Sequence, residues 1–158
     1  MQTFLALFTV VITITLASCN PSKSYEKEEQ NKIQDYLAKN SSLNFELKPS
    51  GLYYLEVVKG TGVSPVTGDS AFVRYTGMFL NGTIFNSNVT MGPLYGFVVG
   101  DNIAGFDEGI LLMAAGGKAT LLIPSKLGYG TTGRYPIDGY TPLLFDIELV
   151  RVKAASVK

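Results

Sequence analysis

Histidine and tryptophan are absent from this chain of 158 residues, and cysteine occurs only once. Without imidazole the chain lacks the commonest general base near neutral pH, every Ser-His or Cys-His nucleophile pair and any His-ligated zinc. A single thiol excludes an internal disulfide and a CxxC site. Any chemistry that this protein performs therefore proceeds without imidazole and without a disulfide.

An excess of charge of one sign is also missing, because 13 Lys and Arg residues balance 13 Asp and Glu residues. Nucleic-acid binding usually depends on clustered Lys and Arg side chains, so no nucleic-acid partner is predicted. Paired carboxylates for acid–base catalysis are not indicated either. Asp107 and Glu108 are neighbours in a short predicted helix, and Asp146 and Glu148 share one strand face, which is typical of solvated surfaces. We predict neither a metal nor a cofactor.

Apolar and aromatic residues, in contrast, are plentiful. The chain is 46% hydrophobic and contains 17 Gly, nine Tyr and nine Phe residues. This composition indicates one globular domain with a sizeable core rather than a disordered chain.

The first segment resembles a secretory signal. Phe4 to Leu16 form an uncharged, almost wholly apolar run that is too short to span a bilayer comfortably. Leu16-Ala17-Ser18-Cys19 follows at once and resembles the lipobox of bacterial lipoproteins, in which the cysteine is lipidated. We therefore predict a lipoprotein signal peptide over 1–18 and a lipid on Cys19. An ordinary cleaved signal with a chance cysteine and a buried helix are the alternatives.

A lipid on Cys19 predicts the location of the protein. It would anchor the chain to a membrane of the bacterial cell envelope, with the outer membrane as the expected one. The domain would then lie outside the cytoplasm.

A polar segment follows the cysteine and contains no aliphatic residue before Ile33, which predicts a tether. Ile33, Tyr36 and Leu37 recur at positions i, i+3 and i+4, which predicts a short amphipathic helix over about Lys27 to Lys39. Its apolar stripe covers little more than one turn, so a solvated arm that packs loosely on the domain is favoured over a dimerising helix. Residues 19–50 are thus predicted to be a tether and a short helical arm.

Beyond Gly51 the apolar residues alternate, with Gly, Pro and Asn between the runs. This pattern predicts strands near 52–58, 70–80, 83–85, 95–99, 118–123 and 143–152. Asn81-Gly82 is a two-residue hairpin signal between the second and third strands.

One stretch breaks the alternation. Phe106, Ile110 and Met113 stand at positions i, i+4 and i+7, which predicts one short helix that ends before Gly116-Gly117. The segment 124–142 is predicted to be a long loop. An antiparallel sheet with a single packed helix is the assembly that these elements favour.

A series of short motifs adds to this prediction, and we list them in chain order: Gly68-Asp69, Val73-Arg74-Tyr75-Thr76-Gly77, Asn81-Gly82, Phe85-Asn86-Ser87, Gly105-Phe106-Asp107-Glu108-Gly109, Met113, Ile123-Pro124, Tyr129-Gly130 and Leu144-Phe145-Asp146-Ile147-Glu148-Leu149. In this order and spacing they resemble the FKBP-type peptidyl-prolyl cis-trans isomerases over about 51–153. The resemblance implies an α+β fold, a twisted antiparallel β half-barrel wrapped around one short α-helix, here preceded by the helical arm. The isomerase domain would comprise residues 51–158.

The resemblance also implies an activity that needs no nucleophile. Amide resonance opposes rotation about an X-Pro bond by ~18–20 kcal/mol. An apolar, aromatic pocket favours the twisted amide by excluding water and holding the proline ring. The implied partners are Pro-containing unfolded or nascent envelope proteins, and a macrolide is the implied ligand. The alternative function is a non-catalytic module that binds Pro-containing segments of an envelope partner.

Carried over position by position, the resemblance implies a pocket lined by Tyr75, Phe85, Phe97, Ile103, Phe106, Tyr129, Ile137 and Phe145, with Tyr95 as a further candidate. Phe106 would be its floor. The backbone N–H of Ile103 and the hydroxyl of Tyr129 would donate hydrogen bonds to the substrate carbonyl.

Three departures from the family pattern affect this pocket. Asn86 stands where the family usually has Asp, and the segment 101–104 is shorter than is common. The usual Pro-rich stretch before Leu143 reads Tyr135-Pro136-Ile137-Asp138-Gly139-Tyr140. An amide at position 86 keeps one acceptor oxygen, which would be available to the Tyr75 hydroxyl.

Overall fold

The computed structural model of the chain describes residues 21–90 and 92–155, so the predicted signal peptide and Cys19 lie outside the described residues. The elements in chain order are α1 (Pro21–Lys39), β1 (Glu46–Leu47), β2 (Tyr53–Val58), β3 (Ser70–Phe79), β4 (Ile84–Ser87), β5 (Tyr95–Val98), α2 (Ala104–Leu111), β6 (Lys118–Ile123), a 3₁₀ turn (Ser125–Leu127) and β7 (Leu143–Lys153). The predicted α+β half-barrel around one short helix is confirmed.

The seven strands form one antiparallel sheet in the order β1-β2-β6-β7-β3-β4, and β5 pairs with β3. Its longest ladder joins β3 to β7, from Ser70 opposite Lys153 to Phe79 opposite Leu143. Sequence periodicity did not predict β1, which has only two residues, both exposed, so that it carries no burial pattern. Its strand geometry comes from pairing with β2.

Helix α2 lies directly on β6 because two glycines face the sheet. A Cβ atom on Gly105 would lie 2.5 Å from Cγ2 of Ile123, and one on Gly109 would overlap the Leu121 side chain. The three apolar residues that predicted the helix, Phe106, Ile110 and Met113, are all buried in the main core. This core fills the space between α2 and the concave face of the sheet.

The hairpin between β3 and β4 forms where it was predicted, but its loop has three residues rather than two. The N–H of Gly82 donates to the carbonyl of Phe79, and the N–H of Phe79 donates to the carbonyl of Thr83. Gly82 has a φ of +85°, as the last residue of such a three-residue loop requires.

The prediction for the N-terminal arm is wrong in two respects. Helix α1 begins at Pro21 rather than near Lys27, so the segment predicted to be a tether is helical over the described residues. The arm also packs firmly, because Ile33 is fully buried in a second core cluster with Leu122 and Leu144. The early turns carry no aliphatic residues, and their tertiary contacts, which sequence periodicity does not reveal, use polar and aromatic side chains instead.

Although α1 is the longest helix in the described part of the chain, it is strongly polar. Within residues 21–90 and 92–155 no helix is long and apolar enough to cross a bilayer.

We predict that Ile33→Ala lowers the free energy of unfolding by ~2–5 kcal/mol, because it leaves a cavity between α1 and the sheet. Urea unfolding followed by circular dichroism measures the change. Gln30→Ala, at an exposed position of the same helix, is the matched control and should change stability by less than about 0.5 kcal/mol. Equal stability of the two variants would show that α1 is not docked on the sheet in solution.

Candidate active site

A cavity of about 370 Å³ opens at one end of the half-barrel. Its walls come from β3, β4, the start of α2, the loop after the 3₁₀ turn and β7. The lining residues are Tyr75, Phe85, Asn86, Tyr95, Asn102, Ile103, Phe106, Tyr129, Arg134, Tyr135, Pro136, Ile137 and Phe145. Apart from Phe97, every predicted site residue borders this cavity.

Phe106 lies at the centre of the aromatic side chains and is only 4% exposed. Its ring meets Phe145 edge to face at 5.3 Å between centroids, and Tyr75 in the same manner at 6.1 Å. Edge-to-face packing of this kind fixes ring orientation as well as burying apolar surface. Phe106 is therefore placed as the floor of the cavity.

Phe97 differs from the other predicted residues because it stands behind the cavity. Its ring packs on Phe106 at 5.6 Å and stacks on Tyr95 at 5.2 Å between centroids. Phe97 thus supports two residues that line the cavity without being one of them.

Gly77 on β3 allows two of the rings to come together. A Cβ atom at this position would lie 2.7 Å from Cε2 of Phe85 and 2.9 Å from Cε1 of Phe145. Any side chain here would therefore push apart the two rings, whose centroids are 5.7 Å apart in an edge-to-face arrangement.

Ile103 supplies an unused backbone donor. It is the N-cap of α2, with extended φ and ψ of −63° and 141°, and its carbonyl accepts from the N–H groups of Phe106 and Asp107. Within the described residues, no hydrogen bond uses the N–H of Ile103 itself. The N–H is therefore free for a ligand at the end of a helix where partial positive charge gathers.

Four tyrosines line the same cavity, and two of them, Tyr95 and Tyr129, lie close enough to a third, Tyr75, to affect its ionisation. Burial raises the pKa of Tyr75 above its ordinary value, and the nearby Tyr95 and Tyr129 raise it further. The Tyr95 hydroxyl donates to Oδ1 of Asn102 at 3.0 Å. A tyrosine is protonated at neutral pH even at its ordinary pKa, and the raised pKa favours this state further, so the Tyr75 hydroxyl is a neutral donor rather than a phenolate.

Asn86 lies at the exposed rim, opposite Gly77 in the β3–β4 ladder. No hydrogen bond joins it to Tyr75 among the described residues, so the suggested contact between the two is absent. The Tyr75 backbone N–H donates instead to Oδ1 of Asn88.

The expectation of a solvated Asp107 is wrong. This residue is 8% exposed, and its Oδ2 accepts the backbone N–H of Asn102 at 2.9 Å. An acidic residue in the first turn of a helix is the signal that could have suggested such a role. The bond ties the segment just before Ile103 to the helix.

Sequence reasoning did not identify four lining residues: Asn102, Arg134, Tyr135 and Pro136. The last three lie in a tight turn in which Arg134 and Ile137 exchange both backbone hydrogen bonds. Tyr135 is 98% exposed at the tip of this turn. No periodic pattern indicates such residues, since their position depends on a loop.

A second cavity, of about 520 Å³, lies between α1, the β3–β4 hairpin and the same turn. It shares Pro136 with the first cavity, but its rim carries the charged residues Lys32, Asp35, Lys39 and Asp138. The smaller cavity concentrates the aromatic rings and the free N–H, so it is the candidate active site.

Comparison with known proteins agrees with this geometry. Residues 62–150 match the model of one family, described as FKBP-type peptidyl-prolyl cis-trans isomerase. The chain belongs to this family. The family resemblance found in the motifs is thereby confirmed, although the match begins after the predicted start near Gly51.

Two curated relatives illustrate the similarity in sequence. FkpA of Aeromonas hydrophila is 38% identical over 127 residues, which cover 80% of this chain and 47% of that protein. Outer membrane protein MIP of Legionella longbeachae is 36% identical over 135 residues, 83% of this chain and 58% of the relative. The chain thus spans about half the length of these relatives.

Solved structures agree on the fold. A peptidyl-prolyl cis-trans isomerase from Pseudomonas syringae pv. tomato superposes with a TM-score of 0.74 at 30% identity, covering 85% of this chain and 97% of that one. FkpA from Escherichia coli gives a TM-score of 0.73 at 29% identity, over 85% of this chain and 65% of the other. In both comparisons the superposed part, 85% of this chain, is longer than the family match over 62–150, so it includes residues outside that match.

We predict that Phe106→Ala and Phe97→Ala each lower the free energy of unfolding by ~3–5 kcal/mol, because the Phe106 ring is buried in the core and the partly buried Phe97 ring packs against it. Only Phe106→Ala should also weaken the binding of a macrolide, the ligand that the family resemblance implies, since Phe106 borders the cavity and Phe97 does not. Calorimetric titration at a temperature where both variants are folded measures the affinity. Equal affinities for the two variants would contradict the assignment of the floor.

Proposed function

We propose that the chain is a peptidyl-prolyl cis-trans isomerase that acts on Pro-containing segments of unfolded or nascent cell-envelope proteins. The observation that carries this proposal is the cavity in which Phe106 forms an apolar floor beside the free N–H of Ile103. Such a site is suited to an apolar ring joined to a carbonyl, which is what an X-Pro unit presents.

The proposed mechanism requires no proton transfer. The proline ring rests on Phe106, and the rings of Tyr75 and Phe145 keep water away from the amide. Rotation removes the resonance that makes the planar amide polar, so an apolar enclosure disfavours the planar state more than the twisted one. The N–H of Ile103 and the hydroxyl of Tyr129 hold the carbonyl oxygen while the bond turns.

The exposed residues at the rim fit a polypeptide substrate. Tyr135 and Arg134 extend from the turn beside the cavity and are free to contact residues that flank the proline. This rim favours segments of unfolded chains, in which the backbone on both sides of a proline is accessible.

We predict that the wild type is a slow but real isomerase and that Asn86→Asp raises its kcat/KM. The described residues show no bond from Asn86 to Tyr75, so the gain requires a donor that reaches residue 86 in the substrate complex. A hydrogen bond to a charged acceptor there contributes ~1.5–3 kcal/mol, against ~0.5–1.5 for a neutral one. A gain of about 1 kcal/mol in the transition state corresponds to roughly a fivefold faster reaction. A proline-limited refolding assay measures the rates, and stability without ligand should not improve.

Asn81→Asp is the matched control, because it adds the same charge in the hairpin loop outside the candidate site. If the wild type and Asn86→Asp are both inactive on every Pro-containing peptide tried, the protein is the non-catalytic binding module instead. A slower Asn86→Asp enzyme would mean that the pocket functions with an amide at this position.

The domain plan belongs to the same proposal: a signal peptide over 1–18, a lipidated Cys19, an arm over 19–50 and an isomerase domain over 51–158. The names of the relatives support an envelope location, since one is an outer membrane protein. Because α1 begins at Pro21, only one residue separates it from Cys19. A lipid there would hold the domain close to the bilayer.

We predict that Cys19→Ala either blocks maturation or releases the protein from the membrane fraction. One acyl chain binds a membrane only marginally, so stable attachment needs the several chains of a lipoprotein anchor. Fractionation and mass spectrometry of the mature N-terminus measure the outcome, and Ser18→Ala, which keeps a small residue before the cysteine, should remain attached. A soluble, unlipidated wild type would refute the anchor while leaving the isomerase proposal intact.

A further inference from the structure

Glu29 on α1 is a buried carboxylate for which the proposed mechanism has no use. It is 5% exposed, and both of its oxygens bind one residue. Oε1 accepts the backbone N–H of Ser125 at 2.5 Å, and Oε2 accepts the Ser125 hydroxyl at 2.7 Å. A buried carboxylate needs such partners, because leaving it unpaired is costly.

Ser125 in turn holds the backbone on both sides of Tyr129. Its carbonyl oxygen accepts the N–H of Gly128 at 2.9 Å and the N–H of Gly130 at 2.8 Å. Tyr129 lies between these two glycines and lines the candidate site. The position of the Tyr129 ring therefore depends on the position of Ser125.

The same helix also contacts the far end of this loop. Tyr25 stacks on Tyr140, with 5.4 Å between ring centroids and 23° between planes. Tyr140 has a φ of 55°, an unfavourable value for a residue with a side chain, and its N–H donates to the carbonyl of Gly130 at 3.0 Å. Contacts with α1 thus bracket the segment from Ser125 to Tyr140.

We propose that Glu29 is a positioning residue that, together with Tyr25, makes α1 the support of the substrate-binding loop. The inference rests on the proposed isomerase function for its effect on turnover. Its structural content is independent of turnover: α1 fixes the loop, and the loop fixes Tyr129, which lines the cavity. Loss of the Glu29 contacts loosens Tyr129 without altering the floor of the site.

The test uses Glu29→Gln in the full mature chain. The amide oxygen still accepts the Ser125 N–H, and the Ser125 hydroxyl can rotate to accept from the NH₂ group, so what is lost is the negative charge that strengthens both bonds. We expect kcat/KM to fall by roughly tenfold, equivalent to about 1.4 kcal/mol. We also expect faster hydrogen exchange at the amides of Gly130 and Tyr140, measured by NMR.

Two controls separate positioning from loss of stability. Glu28→Gln removes the exposed ion pair with Lys32 on the same helix and should change neither readout. Leu149→Ala destabilises the core at a buried site on β7 and should leave the kcat/KM of the folded enzyme unchanged. Tyr25→Ala should lower kcat/KM and speed exchange as Glu29→Gln does. Tyr25→Phe keeps the ring, so both readouts should equal those of the wild type.

The outcomes are separable from those of the proposed function. If the wild type shows no isomerase activity, the function fails, and hydrogen exchange together with the affinity for a Pro-containing peptide decides on the positioning role. If Glu29→Gln leaves exchange at Gly130 and Tyr140 equal to that in Glu28→Gln, the inference is wrong. It is equally overturned if Leu149→Ala reproduces every effect of Glu29→Gln at matched stability.

Discussion

The close approach of α2 to β6 is the constraint on which the rest of the structure depends. Gly105 and Gly109 present hydrogen atoms to Ile123 and Leu121, so the helix axis comes nearer to the sheet than any side chain would allow. Phe106 follows the first of these glycines and is therefore carried deep into the half-barrel. Tyr75 of β3 and Phe145 of β7 pack around this ring. The close approach of helix and sheet therefore also positions the floor of the cavity.

Helix α1 is not held by such a close backbone approach. It is joined to the domain by few but specific side-chain contacts. Ile33 supplies apolar burial against Leu122 and Leu144, while Glu29 and Tyr25 reach the loop that borders the candidate site. Because these contacts lie on successive turns of one helix, the arm docks in a single register. The segment that the sequence predicts to be a tether is therefore part of the folded unit from Pro21 onward.

Sequence reasoning predicted the features that are set by local pattern. Alternation located the strands from β2 onward, the spacing of Phe106, Ile110 and Met113 located α2, and the ordered motifs located most of the residues around the cavity. The features it missed depend on distant partners. Glu29 is buried only because Ser125 lies opposite, and the burial of Asp107 requires the Asn102 backbone to fold over it. Neither partnership leaves a periodic signal.

No carboxylate lines the candidate site, and its one charged side chain among the described residues is the exposed Arg134 at the rim. Asn86 at the rim is neutral, and the Tyr75 hydroxyl is protonated at neutral pH, as tyrosines ordinarily are. The electrostatic grip on a carbonyl then rests on dipoles, chiefly the free N–H of Ile103 at the start of α2. A dipole acts usefully only if its direction is fixed. The buried side chain of Asp107 provides that fixation, because its Oδ2 accepts the N–H of Asn102, the residue directly before Ile103, and so holds the backbone that carries the donor.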